Sequence, residues 1–404
     1  MSGETKREER RDAMSNPCSR RTFVKGVALA GAAAACPYLV TGCGGYRRIP
    51  PTASPAAGTG VPLEQKIAQM LLVGFRGAEL DEGNYIVRDI REHRIGGVIL
   101  FDRDSALKTY GRNITSPAQL QVLTRSLRSL SSTPLFIAVD QEGGNVCRLK
   151  ERYGFPATVT AQYLGTLNNP SITRLCADSI GATLAGNGLN VNFAPVVDLN
   201  INPTSPAIGA LERSFSDDPA IVTTHARIFV ETHDKNRVVT CFKHFPGHGS
   251  ALADSHLGFV DVTETWSEME LEPYRTLLDE GNCRMVMTAH VFNRNIDPEL
   301  PATLSKSILT GILREQLGYD GVVVTDDLQM QGLTQFFDYR TIVEKSILAG
   351  ADIILVANNL SYDPEVAPTT ISHIMSLVRE GTIPEQRIDE SYRRITALKK
   401  MLKT

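Results

Sequence analysis

The sequence has 404 residues, enough for one large domain or two domains of medium size. Hydrophobic residues make up 42% of the chain and charged residues 22%, a balance that supports a packed core and excludes global disorder. The 42 Lys and Arg side chains against 45 Asp and Glu give a net charge of −3, which argues against nucleic acid as a partner. The cysteines form no Cys-x-x-Cys pair, so a zinc ribbon or a redox motif is disfavoured.

The N-terminal part of the chain has the composition of a targeting segment. Ser-Arg-Arg-Thr-Phe-Val-Lys at residues 19–25 precedes the apolar run Val27–Val40, which is too short to span a bilayer as a helix. The basic string resembles a bacterial twin-arginine export signal, and Val-Thr-Gly-Cys ending at Cys43 resembles a lipobox. We therefore expect a signal peptide over 1–43, lipidation of Cys43, a Pro-, Gly- and Ala-rich tether over 44–61, and a lipoprotein anchored in the cell envelope. A plain signal peptide in which Cys43 is incidental is the alternative.

From residue 62 to 404, short apolar runs alternate with amphipathic stretches. The runs are rich in Val, Ile and Phe and are apolar on both faces, which is typical of parallel strands covered on both sides. Strands are predicted over Met70–Phe75, Gly97–Phe101, Leu135–Val139, Leu189–Val197, Val238–Phe242, Arg284–Ala289, Val322–Thr325 and Ile353–Ala357. Helices are predicted over Pro117–Leu130, Ile172–Gly186, Pro219–Asn236, Trp266–Glu280, Lys306–Leu317, Arg340–Ala349, Ser372–Glu380 and Asp389–Leu402.

Eight alternations of strand and helix indicate an α/β fold, a (β/α)8 TIM-type barrel that forms a single catalytic domain. The alternative is an open, doubly wound sheet. That fold favours a Gly-x-Gly-x-x-Gly phosphate loop after its first strand, and residues 74–77, Gly-Phe-Arg-Gly, do not supply one.

Charged or imidazole side chains follow five of the predicted strands. They are Asp140 and Glu142 after the third strand, Asp198 after the fourth, Lys243 and His244 after the fifth, His290 after the sixth, and Asp326 and Asp327 after the seventh. In a (β/α)8 barrel the loops after the strands share one mouth, where the active site lies. Because an unpaired buried ion costs several kcal/mol elsewhere, these charges are expected to line that cavity.

The segment from Lys243 to His256 is rich in groups that can move protons. It contains three histidines, and Asp254 stands one residue before Ser255-His256. A carboxylate beside an imidazole fixes its tautomer and raises its basicity, so His256 can donate a proton to a leaving group and later accept one from water. Asp326 is the opposing candidate, since an ionised carboxylate there can attack an anomeric carbon. A metal site and a purely structural, loop-capping role for the histidines remain alternatives, although His-Glu-x-x-His is absent.

Four segments in order resemble the family 3 glycoside hydrolases, in their β-N-acetylglucosaminidase branch, over about residues 62–400. They are Asp140–Gly144 with Arg148-Leu149, Glu212–Ser216 with Asp218-Pro219, Lys243–Gly249 with Asp254–His256, and Thr325–Met330. The chain departs from the family pattern at Asn145, where Arg is frequent, at Cys147, where a polar residue is common, and at Ser216, where Gly is common. These departures bear on fine substrate preference and remove no catalytic group.

The resemblance implies roles for eight residues. Asp326 is the implied nucleophile, and His256 the general acid/base, oriented by Asp254. The implied ligands for hydroxyl groups of a terminal N-acetylglucosamine are Asp140, Arg148, Arg213, Lys243 and His244. Asp327 is the alternative candidate for the nucleophile. The family pattern Thr/Ser-Asp-x-Leu-x-Met selects the first acid, Asp326, so Asp327 is expected to form a salt bridge or a supporting contact.

The implied function is retaining hydrolysis of terminal, non-reducing β-linked N-acetylglucosamine from peptidoglycan fragments or chitin-type oligosaccharides. A monomer that needs no metal or organic cofactor is expected. Three alternatives remain open at this point. They are a phosphorylase acting on the same linkage, a lipoprotein that binds muropeptides without turnover, and a related β-glucosidase.

Overall fold

The fold is taken from a computed structural model that describes residues 60–402. The predicted signal peptide over 1–43, its Cys43 and residues 44–59 of the predicted tether lie outside the described residues.

Eight parallel strands form the centre of the fold, and each pairs with the next strand along the chain. The first strand also pairs with the last, and a bridge between Val324 and Ile353 joins the seventh to the eighth. The strands are β1 Leu71–Gly74, β2 Gly97–Ile99, β3 Phe136–Val139, β4 Val191–Asn192, β5 Val239–Phe245, β6 Met285–Thr288, β7 Val322–Val324 and β8 Ile354–Val356. This closed order confirms the predicted (β/α)8 barrel and excludes the open sheet.

Helices cover the outside of the barrel. Within residues 60–402 the α-helices are α1 Leu63–Gln69, α2 Tyr85–Arg88, α3 Pro117–Leu130, α4 Ala161–Leu167, α5 Pro170–Gly186, α6 Pro219–Lys235, α7 Glu272–Asp279, α8 Gln331–Thr334, α9 Tyr339–Ala349, α10 Val366–Arg379 and α11 Glu385–Lys400. Asp89–His93 and Ser307–Gln316 are π-helical, and Glu268–Leu271 is a 3₁₀ turn that leads into α7. The sequence pattern does not predict α1 or α4, because seven residues present too little of the 3.6-residue period.

Local signals explain where the long helices begin. The Ser116 hydroxyl accepts a hydrogen bond from the backbone N–H of Gln119 at 3.2 Å, and Pro117 occupies the first helical position of α3. Such a cap satisfies one of the amides that the first turn leaves without a partner, and proline there loses no helical bond. Leu120, Leu123 and Leu127 of α3 then recur on one buried face, as packing against a barrel requires.

The strands are buried on both faces, and β4 is the shortest of them. It was predicted over Leu189–Val197 but pairs in register only at Val191 and Asn192. Pro195 has no backbone N–H to donate, so the regular pairing stops before it and resumes only as a bridge between Val196 and Lys243. The strand therefore ends early, and the following chain is free to carry Asp198 into the barrel mouth.

The four cysteines of the described region are free. Cys147, Cys176 and Cys241 are buried, and Cys283 is half-buried. Between residues 60 and 402, no helix has both the length and the hydrophobicity needed to cross a lipid bilayer.

Candidate active site

A cavity of about 310 Å³ opens at the carboxyl ends of the barrel strands. Its wall includes Asp326 and Asp327 after β7, His256 from the loop after β5, and Asp140 and Arg148 after β3. Apolar side chains from four strands and their ends also line it, namely Ile99, Phe193, Met287 and Leu355. The structure thus gathers side chains far apart in sequence around one space of small-molecule size.

Asp326 directly follows Val324-Thr325 at the end of β7, and its carboxyl group is partly exposed to the cavity. Its Oδ1 accepts a hydrogen bond of 2.7 Å from the backbone N–H of Asp327. Burial raises the pKa of this carboxyl, but the neighbouring imidazoles, His290 foremost, outweigh burial and hold the pKa below its ordinary value. Asp326 is therefore ionised at neutral pH, as a nucleophile requires.

Asp327 is buried and bound to the backbone of the next strand. Its Oδ1 accepts hydrogen bonds from the N–H groups of Gln329 at 3.2 Å and Ala357 at 2.9 Å. Burial raises its pKa to about 6. Its carbonyl oxygen accepts a hydrogen bond of 3.0 Å from Nε2 of His290. Asp327 supports the loop after β7 through backbone contacts, so Asp326 is the acid left available to a ligand.

His256 and Asp254 form a pair on the loop after β5. His256 Nδ1 lies 2.8 Å from Asp254 Oδ1, and the same oxygen accepts a 2.9 Å hydrogen bond from the His256 backbone N–H. Burial lowers the pKa of His256, but its hydrogen bond to Asp254 and the charge of Asp326 raise it above the ordinary imidazole value. With Nδ1 held by a carboxylate, Nε2 is the nitrogen available for proton exchange in the cavity.

A buried ionic network lies behind the cavity wall. The ammonium group of Lys243 contacts Asp140 Oδ1 at 2.8 Å and Glu142 Oε1 at 2.7 Å. The guanidinium group of Arg213 donates two hydrogen bonds to the carboxylate of Glu142, of 2.9 and 2.7 Å. Arg148 Nη2 lies 3.6 Å from Asp140 Oδ2. The network fixes Asp140 and Arg148 where they reach the cavity, because buried charges are stable only when paired.

Asp198 ties this network to the root of the loop after β5. Its carboxylate accepts a 2.7 Å contact from His244 Nδ1 and a 2.9 Å hydrogen bond from the N–H of His248. Burial raises the pKa of Asp198, but His244 outweighs burial and the pKa is lowered. His244 Nε2 in turn lies 3.2 Å from Arg213 Nη2. One buried carboxylate thus holds the imidazole of His244 and the backbone of His248, both in the segment that leads to His256.

The loop is also held by a close backbone approach at Gly249. A Cβ added there would lie 1.7 Å from the carbonyl oxygen of Leu199, so only glycine fits. The Gly249 N–H donates a 3.0 Å hydrogen bond to Glu270 Oε2. Within residues 60–402, no group of three or more His, Cys, Asp and Glu side chains is arranged to hold a metal ion.

All eight predicted site residues within the barrel lie at this end of it, at different depths. Asp326, His256, Asp140 and Arg148 line the cavity, Asp254 holds His256, and Arg213, Lys243 and His244 belong to the buried network. The sequence predicts Glu142 only as a charge at a strand end, whereas the structure shows it as the partner of Arg213. Asp102, which follows the predicted strand Gly97–Phe101, also lines the cavity and is not among the predicted site residues. The strand-end rule that singled out Asp140 could have found Asp102.

Residues 62–398 match the family model described as Glycosyl hydrolase family 3 N terminal domain. A curated Beta-hexosaminidase from Tolumonas auensis is 35% identical over 295 residues, which cover 72% of this chain and 83% of the relative. Beta-hexosaminidase A from Pseudoalteromonas piscicida is 32% identical over 336 residues, covering 78% of this chain.

A solved glycoside hydrolase family 3 beta-N-acetylglucosaminidase from Paenibacillus sp. str. FPU-7 aligns with 85% of this chain at 35% identity and a TM-score of 0.77. The chain spans only 54% of the length of the Pseudoalteromonas protein and 63% of the Paenibacillus chain. The match to the family model nevertheless extends over almost all of the described barrel. The chain belongs to glycosyl hydrolase family 3.

Proposed function

We propose that this protein is a retaining exo-β-N-acetylglucosaminidase, which hydrolyses terminal, non-reducing β-linked N-acetylglucosamine. The observation that carries the proposal is that Asp326 and His256 line one cavity, with His256 held by Asp254. A carboxylate and a proton donor on one sugar-sized cavity are what two-step glycoside hydrolysis needs. The family membership and the names of the two hexosaminidase relatives support the same activity.

In the first step His256 Nε2 donates its proton to the glycosidic oxygen while the carboxylate of Asp326 attacks the anomeric carbon. The leaving sugar departs, and the terminal sugar stays bound to Asp326 as an ester. In the second step His256 takes a proton from water, which attacks the same carbon and releases the sugar with retained configuration. The pKa directions suit this order, since Asp326 is held ionised and His256 is held protonated to higher pH than a free imidazole.

The proposal assigns the hydroxyl groups of the terminal sugar to the five predicted ligands. Asp140 and Arg148 act from the cavity wall, and Lys243, Arg213 and His244 act from the network directly behind it. Because these charged side chains are already paired with one another, they hold their positions before the sugar binds. Little movement of the side chains is therefore needed when a sugar displaces water from them.

The activity is tested with aryl glycosides, with and without inorganic phosphate. Release of aryl alcohol from the N-acetyl-β-glucosaminide, with little from the β-glucoside, is expected, and the first-formed sugar should be the β-anomer by NMR. The Asp326→Asn variant serves as the inactive control. A sugar 1-phosphate as product would replace hydrolysis by phosphorolysis. Tight binding of muropeptides without release of any sugar or aryl alcohol would show that the protein binds these ligands but does not hydrolyse them.

We also propose that the protein is exported and anchored through a lipid on Cys43, acting on peptidoglycan fragments or chitin-type oligosaccharides outside the cytoplasm. The support is the sequence of residues 19–43, with its paired arginines, apolar run and terminal Val-Thr-Gly-Cys. Cell fractionation tests this. Wild-type protein should sediment with membranes and carry acyl mass on Cys43, whereas Cys43→Ala should not, and equal distribution of the two would contradict the anchor.

A further inference from the structure

The proposed acid/base and the proposed nucleophile lie on different loops, so their separation depends on how those loops pack. Both contacts between Asp254 and His256 are internal to the loop after β5. They fix the tautomer of the imidazole but not its position relative to Asp326. The position of His256 therefore depends on what the rest of its loop contacts.

The loop of His256 packs against the segment that follows the nucleophile. Residues 255–259 lie against residues 332–336, and we call these two stretches the loop seam. Ser255 is buried, and its carbonyl oxygen accepts a 3.0 Å hydrogen bond from the N–H of Gly332. A backbone hydrogen bond thus joins the acid/base loop to the chain that carries the nucleophile.

Aromatic rings hold the outer end of the loop seam together. Phe259 and Phe336 have ring centroids 5.2 Å apart and meet edge to face, at an angle of 61°. Phe259 also lies 5.3 Å from the ring of Phe292, which follows β6. Phe336 is 55% exposed, so its ring serves this surface contact and is not part of the barrel core. Edge-to-face pairs contribute more attraction than the buried area alone supplies.

The nucleophile side of the loop seam is fixed to the barrel. The N–H of Leu328 donates a 3.1 Å hydrogen bond to the carbonyl oxygen of Leu355 in β8, and the N–H of Met330 donates a 3.0 Å hydrogen bond to that of Asp327. Leu328 and Met330 are both buried. The position of Gly332 is therefore set by the barrel, and the loop after β5 takes its position from this fixed side.

The loop seam closes tightly because residue 332 has no side chain. A Cβ added to Gly332 would lie 3.1 Å from the carbonyl oxygen of Ser255 and 3.2 Å from that of Gly258. It would also lie 3.4 Å from Cβ of His290. These distances are shorter than ordinary van der Waals contact, so the loop would move outward by a few tenths of an ångström. General acid catalysis is sensitive to such a shift, because the donor must lie within hydrogen-bond reach of the oxygen that it protonates.

We propose that Gly332 and Phe336 are positioning residues, which set the distance between the proposed acid/base and the proposed nucleophile through the loop seam. The hydrogen bond from Gly332 meets Ser255, the residue directly before His256, so a shift at the seam is passed to the imidazole. Neither Gly332 nor Phe336 lines the cavity, so neither acts by touching the sugar. The inference rests on the proposed function and adds to it the contacts that hold its acid/base in place.

The test compares two substrates that differ in their need for a proton donor. One is an aryl N-acetyl-β-glucosaminide whose activated leaving group departs without protonation. The other is the disaccharide of two β-linked N-acetylglucosamine units, whose leaving sugar must be protonated. A loss of folded enzyme lowers kcat/KM for both substrates by the same factor, whereas a displaced acid lowers it more for the disaccharide. The ratio of disaccharide to aryl kcat/KM is therefore the quantity to measure.

Three variants alter the loop seam. Gly332→Ala should lower this ratio about tenfold, since small misplacements of a catalytic group are costly. Phe336→Ala removes the outer ring contact and should lower the ratio about threefold, a smaller loss because the backbone hydrogen bond remains. Phe336→Leu keeps an apolar contact with Phe259 and should restore most of the wild-type ratio.

Two variants of α5 serve as matched controls. Gly186→Ala adds the same methyl group at the end of that helix, where a Cβ would meet no atom of the described residues within 4 Å. Leu175→Ala removes an apolar side chain that is 52% exposed, close to the exposure of Phe336. Both controls should keep the wild-type ratio. Thermal unfolding of every variant shows which of them are folded.

The outcomes are distinguishable from failure of the proposed function. If the wild-type protein cleaves neither substrate, the proposed function fails before any variant is compared. If it cleaves both, and Gly332→Ala and Phe336→Ala lower the two rates by one common factor, the loop seam only stabilises the fold, and the hydrolase stands without this inference. Unchanged rates in both variants would also overturn it. Should Gly332→Ala not fold, Phe336→Ala decides alone, because its ring is exposed.

Discussion

The two ends of the barrel each contain a buried ionic cluster, but the clusters are built differently. At the amino end, Asp352 precedes β8 and is fully buried. Its oxygens accept hydrogen bonds from Arg314 at 2.7 Å, Arg387 at 3.2 Å and Arg394 at 3.3 Å, and from the N–H of Val323 at 3.0 Å. Burial raises the pKa of Asp352, but the three arginines outweigh burial and hold it low. Every acceptor position of this carboxylate is filled.

At the carboxyl end the cluster is left open on one side. Asp140 is 16% exposed and Arg148 26% exposed, and both line the cavity. The buried Nε of Arg148 has no hydrogen-bond partner among the described residues. Buried polar groups are normally satisfied, so unmet capacity beside a cavity indicates a place for a ligand. The saturated cluster around Asp352 stabilises the barrel, whereas the open cluster at Asp140 leaves polar atoms available to a ligand.

The largest expected effect is at the nucleophile. Asp326→Ala should lower kcat for an aryl N-acetyl-β-glucosaminide by about 10⁴-fold or more, since the other carboxylates that the described residues place on the cavity, Asp102, Asp140 and Asp327, are each paired with a cation or with backbone N–H groups. Calorimetry with N-acetylglucosamine should still detect much of the wild-type binding. Full turnover in this variant would move the nucleophile elsewhere, and loss of the folded state would assign Asp326 to stability.

His256→Ala should cost about 10²–10⁴-fold on natural glycans, the usual contribution of a positioned acid or base. The first step with an activated aryl leaving group should suffer far less, because such a group departs without protonation. Single-turnover kinetics across a series of aryl substrates measures this. Equal losses for poor and good leaving groups would contradict the acid role.

A matched pair of substitutions tests the two ends directly. Asp352→Asn should lower the free energy of unfolding by about 3–5 kcal/mol, because three arginines lose their buried counter-charge. Asp140→Asn should lower kcat/KM instead and cost much less stability, since its carboxylate already meets solvent. Denaturant unfolding and steady-state kinetics of both variants decide the matter. A large stability loss in Asp140→Asn together with a kinetic loss in Asp352→Asn would contradict the distinction between a stabilising cluster and an open one.

The smallest effect concerns pH. Wild-type kcat/KM should fall on the acid side where Asp326 protonates, at a pH below the ordinary carboxyl range because its pKa is lowered, and on the alkaline side where His256 loses its proton, at a pH above the ordinary imidazole range because its pKa is raised. Asp254→Asn removes a charge that raises the His256 pKa, so the alkaline limb should move to lower pH. The acid limb should stay in place. An alkaline limb unmoved by the substitution would mean that another group controls it.

Much of the fold could be predicted because each strand is buried on both faces and so appears as a continuous apolar run. The predicted ends of a strand are wrong where the strand ends because backbone pairing stops while the apolar run continues. At β4 the missing N–H of Pro195 ends the ladder within an apolar run that continues to Val197. At Ser307–Gln316 the sequence correctly predicts a helix but not its type. The side-chain pattern does not distinguish a π-helix from an α-helix, because the π geometry depends on how the segment packs.

The candidate site could be predicted only in part. The spacing of Asp254 and His256 is a local property, and the structure has the contact that this spacing suggests. The pairing of Arg213 with Glu142 joins residues 71 apart in sequence, and no local pattern selects that partner. The depth of Lys243 and His244 behind the wall likewise depends on how neighbouring strands pack around them.

The order of amino acids was sufficient to indicate a barrel of eight strands, its family and the acids and histidines at its mouth, because these depend on periodicity and short motifs. Which charges meet the cavity and which are sealed behind it needed the folded chain. Burial and ion pairing depend on side chains brought together from distant strands, and these contacts alone separate the saturated cluster around Asp352 from the open one at Asp140.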